Sequence, residues 1–262
     1  MRRAACALLA LLLGACSDVE MKHQQPELDP DKLVSGYTFL TPETQAQQDD
    51  DFLNPGFLWI DRGAELFSSE EGVEASCASC HGTGEGSLAG AAAHYPAIDE
   101  RSGDLVNLEG RVNLCRSRHQ GAAPLEYESD DLLALTAYVA NLSRGMPISV
   151  PMDERLEPYL EAGRKYFLTR RGQLNLACHQ CHDQNWGRRL RGDTISQGHG
   201  NGFPAYRLEW QTLGSLHRRI RDCDAGVRAE PRDYGSRAYL ALELYLAVRA
   251  KGLLIETPAV RR

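Results

Sequence analysis

The sequence predicts a mainly α chain made of two tandem units, and three observations carry that prediction. A Cys-x-x-Cys-His motif occurs twice, as Cys77-Ala78-Ser79-Cys80-His81 and as Cys178-His179-Gln180-Cys181-His182, one in each half of the chain. The flanks repeat as well: Gly63-Ala64-Glu65-Leu66-Phe67 matches Gly163-Arg164-Lys165-Tyr166-Phe167, and Ala134-Leu135, Tyr138 and Gly145 match Ala241-Leu242, Tyr245 and Gly252. Each repeat closes on a stretch with the apolar period and the end signals of a helix.

Taken in chain order, Arg2 and Arg3 precede an apolar run, Ala4 to Leu13, and then Gly14-Ala15-Cys16. That is the pattern of a signal peptide over residues 1–15, so a periplasmic location is expected. Leu13-Gly14-Ala15-Cys16 also resembles a bacterial lipobox, in which case Cys16 would tie the chain to a membrane. Apart from that anchor nothing calls for a membrane, since no apolar run of about 18 residues follows, which excludes a channel or transporter. Residues 16–52, rich in Gln, Asp and Pro, read as a polar linker or arm. The first unit is expected over 53–150 and the second, with the active site, over 151–262.

Each unit opens on a helix around Gly63 or Gly163 and closes on another. For the first closing helix Ser129 is the expected N-cap, Asp130 and Asp131 the acidic first turn, Leu132, Leu135, Tyr138, Val139 and Leu142 the buried stripe, and Gly145 the stop. Ser236 and Gly252 bracket the second.

The paired motif is the attachment signature of haem c. Two cysteines three positions apart on one helical turn, Cys77 with Cys80 and Cys178 with Cys181, can form thioethers to the haem vinyl groups, and His81 or His182 then points an imidazole at the iron. Zinc or disulfides are the competing use of such cysteines, disfavoured by two such motifs on an exported chain. Helix, motif, long loops and closing helix make up the cytochrome c plan, so the expected fold is two tandem cytochrome c-like domains with one covalently bound haem in each.

A second axial ligand is needed, and methionine is nearly absent: only Met1, Met21, Met146 and Met152 occur, none of them after His182. Two further cysteines hold equivalent places, Arg111-Val112-Asn113-Leu114-Cys115 against Arg219-Ile220-Arg221-Asp222-Cys223. Cys115 and Cys223 are therefore read as thiolate ligands, with a disulfide between them as the alternative. His94, His119, His199 and His217 are rival ligands without matching places in the repeat.

Arg219 and Cys223 are four apart and share a face if the segment is helical, so the guanidinium can lower the thiol's pKa or hold an oxyanion. Arg111 stands in the same relation to Cys115, and a structural or haem-propionate role is the alternative for both. Charge favours the second unit: residues 1–154 hold 10 Lys and Arg against 25 Asp and Glu, and residues 155–262 hold 19 against 11. Arg188, Arg189, Arg191, Arg218, Arg221 and Arg228 cluster around the second motif. They lack a nucleic-acid-binding pattern, so a small anion or an acidic protein surface is the expected partner and nucleic acid is not.

These residues resemble the SoxA family, the dihaem subunit of the SoxAX cytochrome of bacterial sulfur oxidation. The likeness runs from Gly63 to Arg262 and includes Ala93-His94-Tyr95-Pro96, Asn175-Leu176-Ala177-Cys178, Asn185-Trp186-Gly187-Arg188 and Gly202-Phe203-Pro204-Ala205-Tyr206-Arg207, besides the segment ending at Cys223. The resemblance implies an L-cysteine S-thiosulfotransferase that joins thiosulfate oxidatively to a cysteine of the carrier protein SoxYZ. Electrons would pass through haem to a monohaem cytochrome of the SoxX type. It further implies that Cys223 is the active-site ligand and can carry an extra sulfur as a persulfide, and that Arg219 lines the substrate site. A thiosulfate dehydrogenase forming tetrathionate and a non-enzymatic dihaem electron carrier are the alternatives.

Overall fold

The computed structural model describes residues 32–83 and 88–262. The export segment, Cys16 and the start of the polar arm lie outside the described residues. The first unit contains α2 (Phe57–Ser68), α3 (Cys77–His81), a hairpin of β1 (Ala97–Ile98) and β2 (Leu105–Val106), α4 (Leu108–His119) and α5 (Asp130–Asn141), preceded by α1 (Pro42–Asp49) in the arm. The second contains α6 (Glu157–Leu168), α7 (Cys178–His182), the hairpin β3 (Arg189–Leu190) and β4 (Asp193–Thr194), β5 (Ala205–Arg207), β6 (Thr212–Gly214), α8 (Leu216–Gly226), α9 (Arg237–Arg249) and β7 (Ala259–Arg261).

In each unit the opening helix crosses the closing one, α2 on α5 and α6 on α9. The repeated glycines explain how closely they cross. A Cβ on Gly63 would stand 2.2 Å from the Ala134 carbonyl oxygen, and one on Gly163 would stand 2.0 Å from that of Ala241. No side chain larger than hydrogen fits at either crossing. Around them Phe67 packs with Leu108, Leu135 and Val139, and Phe167 with Ile220, Tyr239, Leu242 and Leu246.

Helix starts follow the expected chemistry with one difference. Ser129 accepts from the Leu132 N–H at 3.4 Å, Asn107 from Gly110 at 3.0 Å and Ser215 from Arg218 at 3.1 Å. Ser236 occupies the N-cap position of α9, but its hydroxyl is buried and makes no hydrogen bond. The turn into α9 is instead made by Gly235, at φ 66°, whose N–H donates to His217 Nδ1 at 3.1 Å.

The chain's end returns to the second unit, where β7 pairs parallel with β5 and β6 pairs antiparallel with β5's other edge. The described part of the arm is laid against this sheet and its neighbours. Val34 N donates to Gln197 Oε1 at 2.9 Å, the buried Gln48 accepts from Val260 N at 3.1 Å, and Asn54 Nδ2 donates to Pro258 O at 2.8 Å.

The units meet through equivalent segments. Gly145 N bonds Ile255 O, Ile255 N bonds Met146 O and Ile148 N bonds Leu253 O, each at 2.9 Å, with Pro147 facing Leu254. Pro147 and Leu254 are counterparts at the same offset as Gly145 and Gly252, so a local two-fold axis runs between them. Tyr127 and Tyr234, also counterparts, stack at 5.7 Å. A cavity of about 90 Å³ lies at this junction, walled by Leu108, Glu109, Thr136, Leu216 and Glu243 among others.

Candidate active site

The second motif forms α7, a single helical turn that places Cys178, Cys181 and His182 together. His182 is oriented from behind: its Nδ1–H donates to the Ser196 carbonyl at 2.7 Å, which leaves Nε2 as the free lone pair. Gly198 sits against the ring so closely that a Cβ there would stand 2.9 Å from His182 Cγ. Facing it is α8, which carries Arg219 and Cys223 on one face as their spacing requires. His182 lies beside the Cys223 sulfur.

Electrostatics set Cys223 apart. Burial raises the thiols of Cys77, Cys115 and Cys181, and pushes that of Cys178 up to about 12. Burial pushes the Cys223 thiol up as well, but the Arg219 charge and the neighbouring His182 outweigh it and hold the thiol below its ordinary value. Next to it the Asp224 carboxylate, 3% exposed, accepts from Tyr166 OH at 2.6 Å and Tyr239 OH at 2.8 Å and pairs with Arg171 at 3.2 Å. That network ties α8 to α6 and α9 immediately behind the sulfur.

The first motif forms α3, capped by Ser76 onto the Ser79 N–H at 3.2 Å. Cys77 and Cys80 are close to Cys115 on α4, and His81 packs against Phe67 with ring centroids 6.3 Å apart. Arg111 is fully engaged: Nη1 donates to Asp99 at 2.9 Å and Nε to Tyr95 OH at 3.1 Å, while Arg118 makes two 2.8 Å bonds to the same Asp99. Arg219 makes no side-chain hydrogen bond or ion pair among the described residues. This difference between the copies, and the Asp99 and Asp224 networks, escaped the sequence reading because the partners lie in unrepeated loops and on other helices.

The remaining predicted residues fall into place around this frame. Cys115 and Cys223 are free thiols. His94 and His119 are exposed, His217 is buried with its nitrogens directed at Gly235 and Glu243, and His199 Nε2 faces Gln197 Oε1 at 3.0 Å. Arg218 stacks on Trp210 and Arg221 on Tyr234, with 4.3 Å and 4.6 Å to the ring centroids.

The donor set fits haem. Among the described residues no three His, Cys, Asp or Glu side chains converge to hold a bare metal ion. In each unit the motif instead supplies two cysteines on one turn for thioethers and a histidine, with a further cysteine nearby, Cys115 on α4 or Cys223 on α8. A histidine and a cysteine would suit an iron whose other ligands come from a macrocycle.

The comparisons agree with this reading. The family model described as SoxA/TsdA, cytochrome c domain, matches residues 62–148. The L-cysteine S-thiosulfotransferase subunit SoxA of Rhodovulum sulfidophilum is 40% identical over 88% of this chain and 81% of that protein. That of Pseudaminobacter salicylatoxidans is 39% identical over 90% and 84%. The crystal structure of SoxXA from P. pantotrophus superposes with a TM-score of 0.84 at 38% identity, covering 88% of this chain and 87% of that one. With relatives of this identity matched over four fifths of their length, the chain belongs to the SoxA family of c-type cytochromes, in which haem c is bound covalently.

Proposed function

We propose that this chain is the catalytic subunit of a periplasmic L-cysteine S-thiosulfotransferase, working with a monohaem SoxX-type partner. It would bond the outer sulfur of thiosulfate to a cysteine of a SoxYZ-type carrier: R–SH + S2O3²⁻ → R–S–S–SO3⁻ + H⁺ + 2e⁻. The observation that carries the reading is the unequal fate of two equivalent arginines. Arg111 is consumed by Asp99 and Tyr95, whereas the Arg219 side chain makes no hydrogen bond or ion pair and lies beside Cys223, the one cysteine among the described residues whose thiol is lowered. A free guanidinium four residues before a nucleophilic sulfur can hold the sulfonate end of thiosulfate and present the outer sulfur to Cys223.

In this reading two haems are bound, one by Cys77, Cys80, His81 and Cys115 and one by Cys178, Cys181, His182 and Cys223. Haem supplies the one-electron acceptor for each of two successive electron removals. The chain's own residues do the rest. His182 is held in one orientation by Ser196, the Asp224 network fixes the helix bearing Cys223, and Arg219 binds and orients the anion. Cys223 is also the sulfur on which a further sulfur can be carried as a persulfide.

The test is the haem-loaded complex mixed with carrier, thiosulfate and an electron acceptor, with the carrier's mass as readout. Thiosulfonate on the carrier cysteine, lost in Cys223→Ala with both haems still attached, is the expected result. Turnover retained in that variant overturns the assignment. Tetrathionate formed at full rate without carrier identifies a thiosulfate dehydrogenase.

A further inference from the structure

The internal repeat shows why Arg219 is open. Between Pro96-Ala97 and Cys115 the first unit aligns without gaps on the stretch from Pro204-Ala205 to Cys223, with helix caps Asn107 and Ser215 and arginines Arg111 and Arg219 in register. Asp99 therefore has Arg207 as its counterpart, and Arg118 has Gly226. In the first unit one buried carboxylate closes on two arginines. In the second the sign at the carboxylate's position is reversed.

We propose that Arg207 is the second guanidinium of the anion site, so that Arg207 and Arg219 together take a dianionic sulfur oxoacid in place of the internal carboxylate. This deepens the reading of Arg219 given above and rests on it. Arg207 lies on β5, is 5% exposed, and its Nε is buried without a hydrogen-bond partner. Its hydrogen-bonded carboxylate, Glu209 at 2.8 Å from Nη2, is 55% exposed and is also acted on by the Arg219 charge, while Asp222 adds a weaker favourable influence on Arg207. Burial disfavours the charge on Arg207, and Arg219, the next largest influence, opposes it as a like charge. Arg207 keeps an unused buried donor and the Arg219 side chain makes no hydrogen bond or ion pair among the described residues, so an anion that displaces the exposed Glu209 carboxylate meets both guanidiniums. With Glu209 displaced, two guanidiniums face the ligand, which favours a dianion over a monoanion or a neutral thiol.

Calorimetric titration of the haem-loaded complex with sulfate, a redox-inert dianion, reads binding apart from turnover, and thiosulfate kinetics with carrier supply KM and kcat. Arg207→Gln is expected to weaken sulfate binding at least about 10-fold and to raise the thiosulfate KM with little change in kcat, as loss of a charged hydrogen bond requires. Arg207→Lys should recover part of the binding. Arg207→Asp rebuilds the closed pair of the first unit, and is expected to abolish sulfate binding without lowering the thermal midpoint. If Arg219→Ala loses binding while Arg207→Gln and Arg207→Asp stay within two-fold of the parent, the role of Arg207 is refuted and that of Arg219 stands. Binding unchanged in Arg219→Ala overturns both. Should the Gln variant fail to mature, the Lys and Asp variants decide by the same readings.

Discussion

Glu109→Gln offers a test of the junction between the two units through pH. Glu109 is 6% exposed on the wall of the interunit cavity, and burial, then the neighbouring charge of Glu243, push its pKa up to about 8 from 4.5. Glu243 is the better solvated partner, accepting from Asn107 Nδ2 at 3.1 Å and facing His217 Nε2 at 2.9 Å. Because Gly235 N–H donates to His217 Nδ1, the ring's proton sits on Nε2, toward Glu243. Glu128 and Tyr127 complete the groups that face the pair.

A carboxyl whose folded pKa is raised binds its proton more tightly folded than unfolded. The Glu109 contribution is therefore fully present below about pH 4 and is lost as pH rises toward 8. At about 1.36 kcal/mol per unit the displacement is worth up to about 5 kcal/mol, on the order of 10 °C in the thermal midpoint for a chain of this size. The glutamine variant stays neutral at every pH. Thermal melts of the haem-loaded protein from pH 5 to 9 should show the parent losing stability relative to the variant as pH rises, with the variant the more stable above pH 8. Parallel curves for the two proteins would refute a buried proton at Glu109.

Three further outcomes follow from the packing and the networks. Gly163→Ala puts a methyl 2.0 Å from the Ala241 carbonyl oxygen, so α6 and α9 must separate; a loss of about 3 kcal/mol is expected in denaturant titration. Asp99 is held well below the usual carboxylate range by Arg118, with Ser102 and Arg111 adding to it. Its contribution is present above its unfolded pKa and lost as pH falls through the folded one, so Asp99→Asn should lower the thermal midpoint at pH 7 and flatten the acid side of the stability profile. Tyr239→Phe removes one of the two phenol donors to buried Asp224 and should cost about 1–3 kcal/mol, read by the same titration.

Local chemistry made much of this legible in the sequence. The two motifs, the 100-residue spacing of Gly63 and Gly163, the Ser129 cap and the Arg-to-Cys spacing all depend on neighbours within a helical turn or on an internal match. The sheet was not legible. Strands of two or three residues carry too little period to register, and β7 pairs with β5 across more than fifty residues. Nor does the arm announce its partners: Gln48 finds Val260 and the Val34 N–H finds Gln197 in a unit more than a hundred residues further along the chain. At the site the cysteines and Arg219 could be named from spacing, but their inequality could not. It depends on Asp99 and on Asp224, whose partners reach them from elsewhere in the fold.

The ladder through Pro147 and Leu254 is the isologous contact of a two-fold dimer, drawn inside a single chain. In a dimer of identical subunits every substitution is made twice. An arginine in place of Asp99 would then appear in both halves and leave neither with a closed ion pair. Covalent fusion removes that constraint: the pairing surface stays symmetric and keeps the halves in place, while each half is free to diverge away from the axis. One copy can keep its charges matched and lend rigidity, and the other can leave its charges unmatched and open to a ligand.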